Sequence, residues 1–266
     1  MTSSDPLATR ELPFLVQIPL LAARDLVINR SGWVAAWSMP IRAVFQAAFV
    51  ILAGMFYAGT AGRDYAFVGA VAFAASPWAL GAVSDAMLED RNQGTIYRLR
   101  LGRLPMLALV ALRTPPYLVQ GLLAMVLGAL VAGPVLVGGA LSLRVALVLP
   151  VLATGLLSML CMGLAIGSTG GSPRTDILLS NLAQYLILLA AGVILPPGRL
   201  PMLDAVGQVL PLRHALTAAH SWLAGRSDWS QVGLELVVAL GWLAVASGCL
   251  AVQALLARRY GLDDLN

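Results

Sequence analysis

Residues 144–167 read RVALVLPVLATGLLSMLCMGLAIG, and this run decides the fold class. Behind Arg144 it contains no charged residue. A helix crosses the ~30 Å hydrocarbon of a bilayer with about 20 apolar residues at 1.5 Å each, so the run is long enough. Its apolar residues do not alternate with polar ones, which argues against a barrel strand. In hydrocarbon each backbone N–H and C=O must be paired within the protein, and that leaves the helix.

Five similar runs accompany it, at 38–58, 65–84, 113–132, 177–194 and 231–256. The expected fold is an all-α integral membrane protein with six transmembrane helices. Of 266 residues, 59% are apolar and 11% charged, with a mean hydropathy of +0.83. Soluble domains carry roughly 25% charged residues, so this chain lacks the charge to cover a water-facing surface.

Residues 14–37 are apolar but interrupted by Gln17, Pro19, Arg24, Asp25, Asn29 and Arg30. They predict a helix lying in the membrane interface, with Trp33 and Trp37 at headgroup depth. The expected organisation is a cytoplasmic N-terminus with this interfacial helix over 1–37, a six-helix domain over 38–258 and a cytoplasmic tail over 259–266. No short apolar segment with a cleavage site follows the polar start, so no cleaved signal peptide is expected. A polar loop is expected at Gly59–Asp64, a kink at Pro77-Trp78, and a helix start at Thr114-Pro115-Pro116. A further loop is expected at 168–176.

All 17 basic residues are arginine. A P-loop needs a lysine on the nucleotide phosphates, so the chain holds no ordinary P-loop ATPase. Schiff-base lysine chemistry is excluded as well. The arginines are scattered among loops, which points to membrane topology and not to nucleic acid. With both termini cytoplasmic, ten arginines lie inside and five outside, with Arg42 and Arg113 near the inner face. The positive-inside rule then puts 85–105 in the cytoplasm and 195–229 outside. Cys161 and Cys249 sit in apolar runs without metal-ligand spacing and read as small core residues.

Pro196, Pro197, Pro201 and Pro211 forbid one continuous helix across 195–229, while its many leucines and valines suit no free loop. Two short re-entrant helices at the outer interface are expected, anchored by Trp222 and Trp229. Arg199, Arg213 and Arg226 would face water or headgroups. Whether this region gates an exit or shields helix ends stays open. Glu235, one turn into the last run, is expected to be hydrated. Asp85 is expected to cap a helix or face water. Asn181 and Gln184 are expected to bond across helices, with a substrate path as the alternative. His214 and His220, six apart, make a poor metal pair.

The loop Glu89-Asp90-Arg91-Asn92-Gln93-Gly94-Thr95, followed by an arginine- and leucine-rich run ending at Leu104-Pro105, resembles the signature cytoplasmic loop of ABC-2 type permeases. The segment Leu210-Pro211-Leu212-Arg213-His214-Ala215-Leu216, with Leu223-Ala224-Gly225 after it, is similar to that family's stretch before the last span. Pro196-Pro197-Gly198 and Leu200-Pro201 fit its first outer helix. Family members often carry arginine where His220 or Ser221 stands here.

The resemblance implies a bacterial inner-membrane exporter subunit working as a homo- or heterodimer of permeases over separate ATP-binding subunits. Those partners would bind ATP and Mg; this chain would hold no catalytic, metal or cofactor residue. Glu89, Asp90, Gln93, Gly94, Thr95 and Arg98 would couple to the ATPase. Leu210, Pro211, Arg213 and His214 are the outer-gate candidates. The implied cargo is a drug, antibiotic, lipid or lipid-linked glycan. The alternatives are a lipid-modifying membrane enzyme and a structural subunit. The enzyme would need clustered acids, and beyond Asp263-Asp264 nothing faces Glu89-Asp90.

Overall fold

The computed structural model describes residues 14–29, 33–85, 87, 105–169, 172–198 and 201–260. Their regular elements are all helical: α1 (Phe14–Asn29), α2 (Trp33–Phe73), α3 (Met106–Leu112), α4 (Pro115–Leu127), α5 (Gly133–Leu136), α6 (Gly139–Leu147), α7 (Leu149–Gly167), α8 (Pro173–Ala190), α9 (Pro201–Gly207), α10 (Arg213–Leu223) and α11 (Trp229–Tyr260). Two π-helical turns, Pro77–Ala82 and Gly128–Ala132, lie between them. Among the described residues four helical segments are long and apolar enough to cross a membrane: Trp37–Asp85, Met106–Leu136, Leu149–Gly167 and Trp229–Leu256.

The first of these has 49 residues, which as one straight helix would measure over 70 Å, more than twice the hydrocarbon thickness. It breaks at Ala58 (φ −139°, ψ 26°) and Gly59 (φ 62°, ψ −145°). The left-handed φ at Gly59 suits a residue without Cβ. The expected loop at 59–64 thus shrinks to two residues. Helix resumes at once because Gly54, Gly62 and Ala66 are small: a Cβ on Gly62 would collide with the Gly54 carbonyl. The two arms therefore close as a hairpin.

Pro77 bends the second arm as expected. Lacking an N–H, it leaves the Phe73 carbonyl without its helical donor. The other arm supplies one: Gln46 Nε2 donates to Phe73 O and to Ser76 Oγ, each at 3.1 Å.

Several expected boundaries move. The helix expected at the interface ends at Asn29, and Trp33–Trp37 belong to α2. The third span begins at Met106 and not at 113. Arg113 and Thr114 form a single turn joining α3 to α4, with Thr114 Oγ1 donating to Ala111 O at 2.8 Å. The fourth is confined to α7, because Pro150 cannot continue the ladder from α6. The fifth run starts early, where Ser172 accepts from the Thr175 N–H at 3.4 Å, and stops at Ala190, before Gly192 turns the chain at φ 84°. This helix, α8, carries Arg174, Asp176, Asn181 and Gln184 and is not among the four apolar spans. The last run matches α11 closely.

α7 is the central helix: 72% of its apolar window is buried, against 17% for α11. It is contacted by α4, α10, α11 and the Pro77–Ala82 turn. Gly163 lets the Ala79 carbonyl approach α7, and Ser84 Oγ donates to Gly163 O at 3.2 Å. α1 lies against α3 and α4.

Candidate functional site

Two regions bring polar side chains together inside this apolar frame. The first is at α10. No Ser, Thr, Asp or Asn stands at 210–213 to cap its N-terminus. Instead Glu235 reaches in from α11. Its carboxylate accepts from the backbone N–H groups of Leu212 (2.7 Å), His214 (3.0 Å) and Ala215 (3.0 Å). The Ser158 hydroxyl of α7 donates to it as well. Four donors match the roughly four acceptor sites of a carboxylate. A negative charge at a helix N-terminus also complements the macrodipole. Leu212 adopts φ 79° to aim its N–H at Glu235, a conformation costing a non-glycine residue about 1–3 kcal/mol.

Glu235 is therefore not hydrated; its exposure is 0%. The gate candidates are buried too: Leu210, Pro211, Arg213 and His214 all lie in the interior of the chain. Arg213, expected in water or headgroups, pairs with Asp204 of α9 at 2.9 Å and donates to Ala190 O at 3.3 Å. Asp204 also accepts from the Gly198 N–H at 2.7 Å. One arginine thereby ties the end of α8 to α9 and α10. His214 joins Gln231 through Nδ1 (2.9 Å) and the Gln208 carbonyl through Nε2 (3.2 Å). Arg226 is exposed, as expected, and Arg199 lies outside the described residues.

His220, on the same helix, stacks on Tyr65 with ring centroids 4.2 Å apart and planes 3° from parallel. Its Nε2 is buried and has no hydrogen-bond partner among the described residues. Burial pushes its pKa down from 6.5 to about 4.

The second region is a cleft of about 200 Å³ between the first arm of α2, the Pro77–Ala82 turn and α8. Arg42, Trp78, Asp85, Ser180, Asn181 and Gln184 are among its lining residues. Asn181 and Asp85 are exposed and Gln184 is half-buried, so the two amides line a space where tight helix packing was expected. Ser180 is 6% exposed, and its Oγ has no hydrogen-bond partner among the described residues.

The six coupling candidates, Glu89, Asp90, Gln93, Gly94, Thr95 and Arg98, lie outside the described residues. Beside that loop, Met87 is buried against Gly167 and Ser168. Among the described residues no three His, Cys, Asp or Glu side chains are grouped to hold a metal ion.

Sequence reasoning did not find the Glu235 cap or the Ser180 hydroxyl. For Glu235 two signals were available: an acid inside an apolar helix, and a helix start with no cap of its own.

No curated protein sequence matches the chain. A family model described as ABC-2 type transporter matches residues 17–223. That match runs from α1 through α10, taking in residues 85–105 and the short helices α9 and α10. On this breadth the chain belongs to the ABC-2 type transporter family, as a permease with membrane-spanning helices.

Proposed function

We propose that the chain is the membrane-spanning subunit of an ATP-driven exporter for an amphipathic or lipid-like substrate, energised by a separate ATPase. The observation that carries this reading is the family match across residues 17–223. Drugs, antibiotics, lipids and lipid-linked glycans are the cargo classes it admits. The chain lacks lysine, so ATP and Mg bind to the partner. A second copy or a paralogue completes the transport path.

In this reading the chain crosses a bacterial inner membrane six times with both termini in the cytoplasm. Two passes come from the hairpin arms of α2, and one each from Met106–Leu136, α7, α8 and α11. The 18 residues of α8 would span about 27 Å, close to the hydrocarbon thickness. Ser180, Asn181 and Gln184 line the cleft, which supports a role for α8 in lining the path. Glu89, Asp90, Gln93, Gly94, Thr95 and Arg98 dock on the ATPase, whose closure moves the spans as rigid bodies.

The test is purification of the complex from membranes, followed by reconstitution in liposomes. ATP hydrolysis should reside in a copurifying chain, and movement of a fluorescent lipid or dye should require ATP. The reading fails if no ATP-hydrolysing chain copurifies, or if transport continues when ATP is withheld. Replacing Glu89 and Gly94 together should abolish coupling while the chain still folds.

A further inference from the structure

We propose that the cleft beside α8 is a headgroup site for an amphiphile carrying a phosphate and additional hydrogen-bond donors. The proposal rests on the reading of the chain as a subunit handling lipid-like cargo, and it names the chemistry of that cargo.

Three observations converge. First, the Ser180 hydroxyl is buried and, among the described residues, unpartnered where it lines the cleft. A buried hydroxyl without a partner is unfavourable, and a ligand oxygen in the cleft would satisfy it. Second, Arg42 is exposed at the cleft and presents a guanidinium, whose planar fork matches two phosphate oxygens. Asn181 and Gln184 add amides whose N–H groups donate to phosphate oxygens and whose carbonyl oxygens accept from headgroup hydroxyls. A headgroup with hydroxyls can satisfy both halves of each amide, and one without donors cannot. Third, the depth is suitable. Arg42 lies five residues beyond Trp37, the first residue of the span, or about 7 Å along a helix. Asn181 and Gln184 lie about 12–16 Å from the start of α8. The cleft thus runs from the level of lipid headgroups toward the midplane. Its volume of about 200 Å³ far exceeds the ~10–15 Å³ needed for one water and suits a headgroup, not a whole lipid.

The experiment places the full-length chain in nanodiscs with one of three photoactivatable amphiphiles. The probes share acyl chains and carry the photogroup beside the headgroup. They are phosphatidylglycerol (phosphate and hydroxyls), phosphatidylcholine (phosphate without donors) and a diacyl trimethylammonium-propane (a cation only). The phosphatidylglycerol probe should label peptides covering α8 and the first arm of α2 at least five-fold more than either other probe. Arg42→Gln should lower that labelling at least five-fold, and Gln184→Leu at least two-fold. Arg42→Lys, which keeps the charge but not the fork, should fall between wild type and Arg42→Gln. Excess inorganic phosphate should leave the labelling unchanged.

Equal labelling by the ammonium or choline probe overturns the proposal. So does displacement by phosphate alone, or indifference to both Arg42→Gln and Gln184→Leu in variants that remain monodisperse. Labelling is read without ATP or partner. Its failure alongside ATP-dependent export would refute the headgroup site and leave the exporter reading standing.

Discussion

Single side chains in this protein repair what the apolar sequence cannot supply for itself. Pro77 removes one N–H, and Gln46 returns a donor to the orphaned Phe73 carbonyl from the opposite arm. Gln46→Leu should therefore destabilise the hairpin by about 1–3 kcal/mol, the cost of leaving a buried acceptor unpaired. In a Pro77→Ala background the same change should cost less, because position 77 regains an N–H for Phe73. A double-mutant cycle on thermal or denaturant unfolding measures the coupling. Equal costs in both backgrounds would refute the repair. His220 behaves differently, being a base held neutral by burial against Tyr65. Its folded pKa of about 4 lies below the ordinary 6.5. The stability it contributes is full above pH 6.5 and is lost as pH falls toward 4. Protection factors across 195–225, corrected for the slower intrinsic exchange in acid, should fall between pH 6.5 and 4 in the wild type. His220→Phe keeps the stack and removes the titration, so it should show a markedly smaller change.

At the scale of elements, α10 shows how far a helix can depend on a distant residue. Its first turn is capped by Glu235 of α11, with Ser158 of α7 completing the acceptor's shell. Glu235→Ala leaves the three backbone donors of Leu212, His214 and Ala215 without an acceptor, while the Ser158 hydroxyl can still donate to Gly155 O; the change should cost at least about 3 kcal/mol. Glu235→Gln brings a donor toward those donors and should recover little of the loss. Limited proteolysis between 195 and 228 reads both; wild-type resistance in Glu235→Ala would show that the cap is dispensable. The element pattern itself was largely legible. α11 and the two short helices α9 and α10 follow from an unbroken apolar run and from four prolines that prohibit one helix. The turn at Ala58-Gly59 was hidden because Gly59, Gly62, Arg63 and Asp64 look like a loop. Only the packing of Gly54 against Gly62 and Ala66 makes that stretch helical. The cap was hidden because donor and acceptor lie in different elements, and local patterning carries no information on such a pair. The polar cleft was half legible: Asn181 and Gln184 were visible as intramembrane amides, while Arg42, Trp78 and Ser180 joined them only once three elements had packed together.

For the whole molecule, α7 holds the bundle, and α10 is fastened to it by Glu235 and Ser158. The gate candidates Leu210, Pro211, Arg213 and His214 are buried in the interior of the chain, so a moving exit would carry α10 as a unit with α11 and would not unfold it. Orientation is open to direct measurement. Single cysteines at Arg98 and Arg226, in a chain without Cys161 and Cys249, should react with an impermeant thiol reagent from opposite faces; labelling from one face would refute the six-pass arrangement. The distant cap also has a consequence for synthesis. The amides of Leu212, His214 and Ala215 leave the ribosome before the carboxylate that will accept from them, which follows 20 to 23 positions later. A chain stalled or cut ahead of Glu235 holds a complete α10 sequence and a helix that cannot be sealed, with buried amides that no neighbour satisfies. The start of α10 is therefore completed only once α11 has been made, because the acceptor for its first N–H groups lies on that last helix.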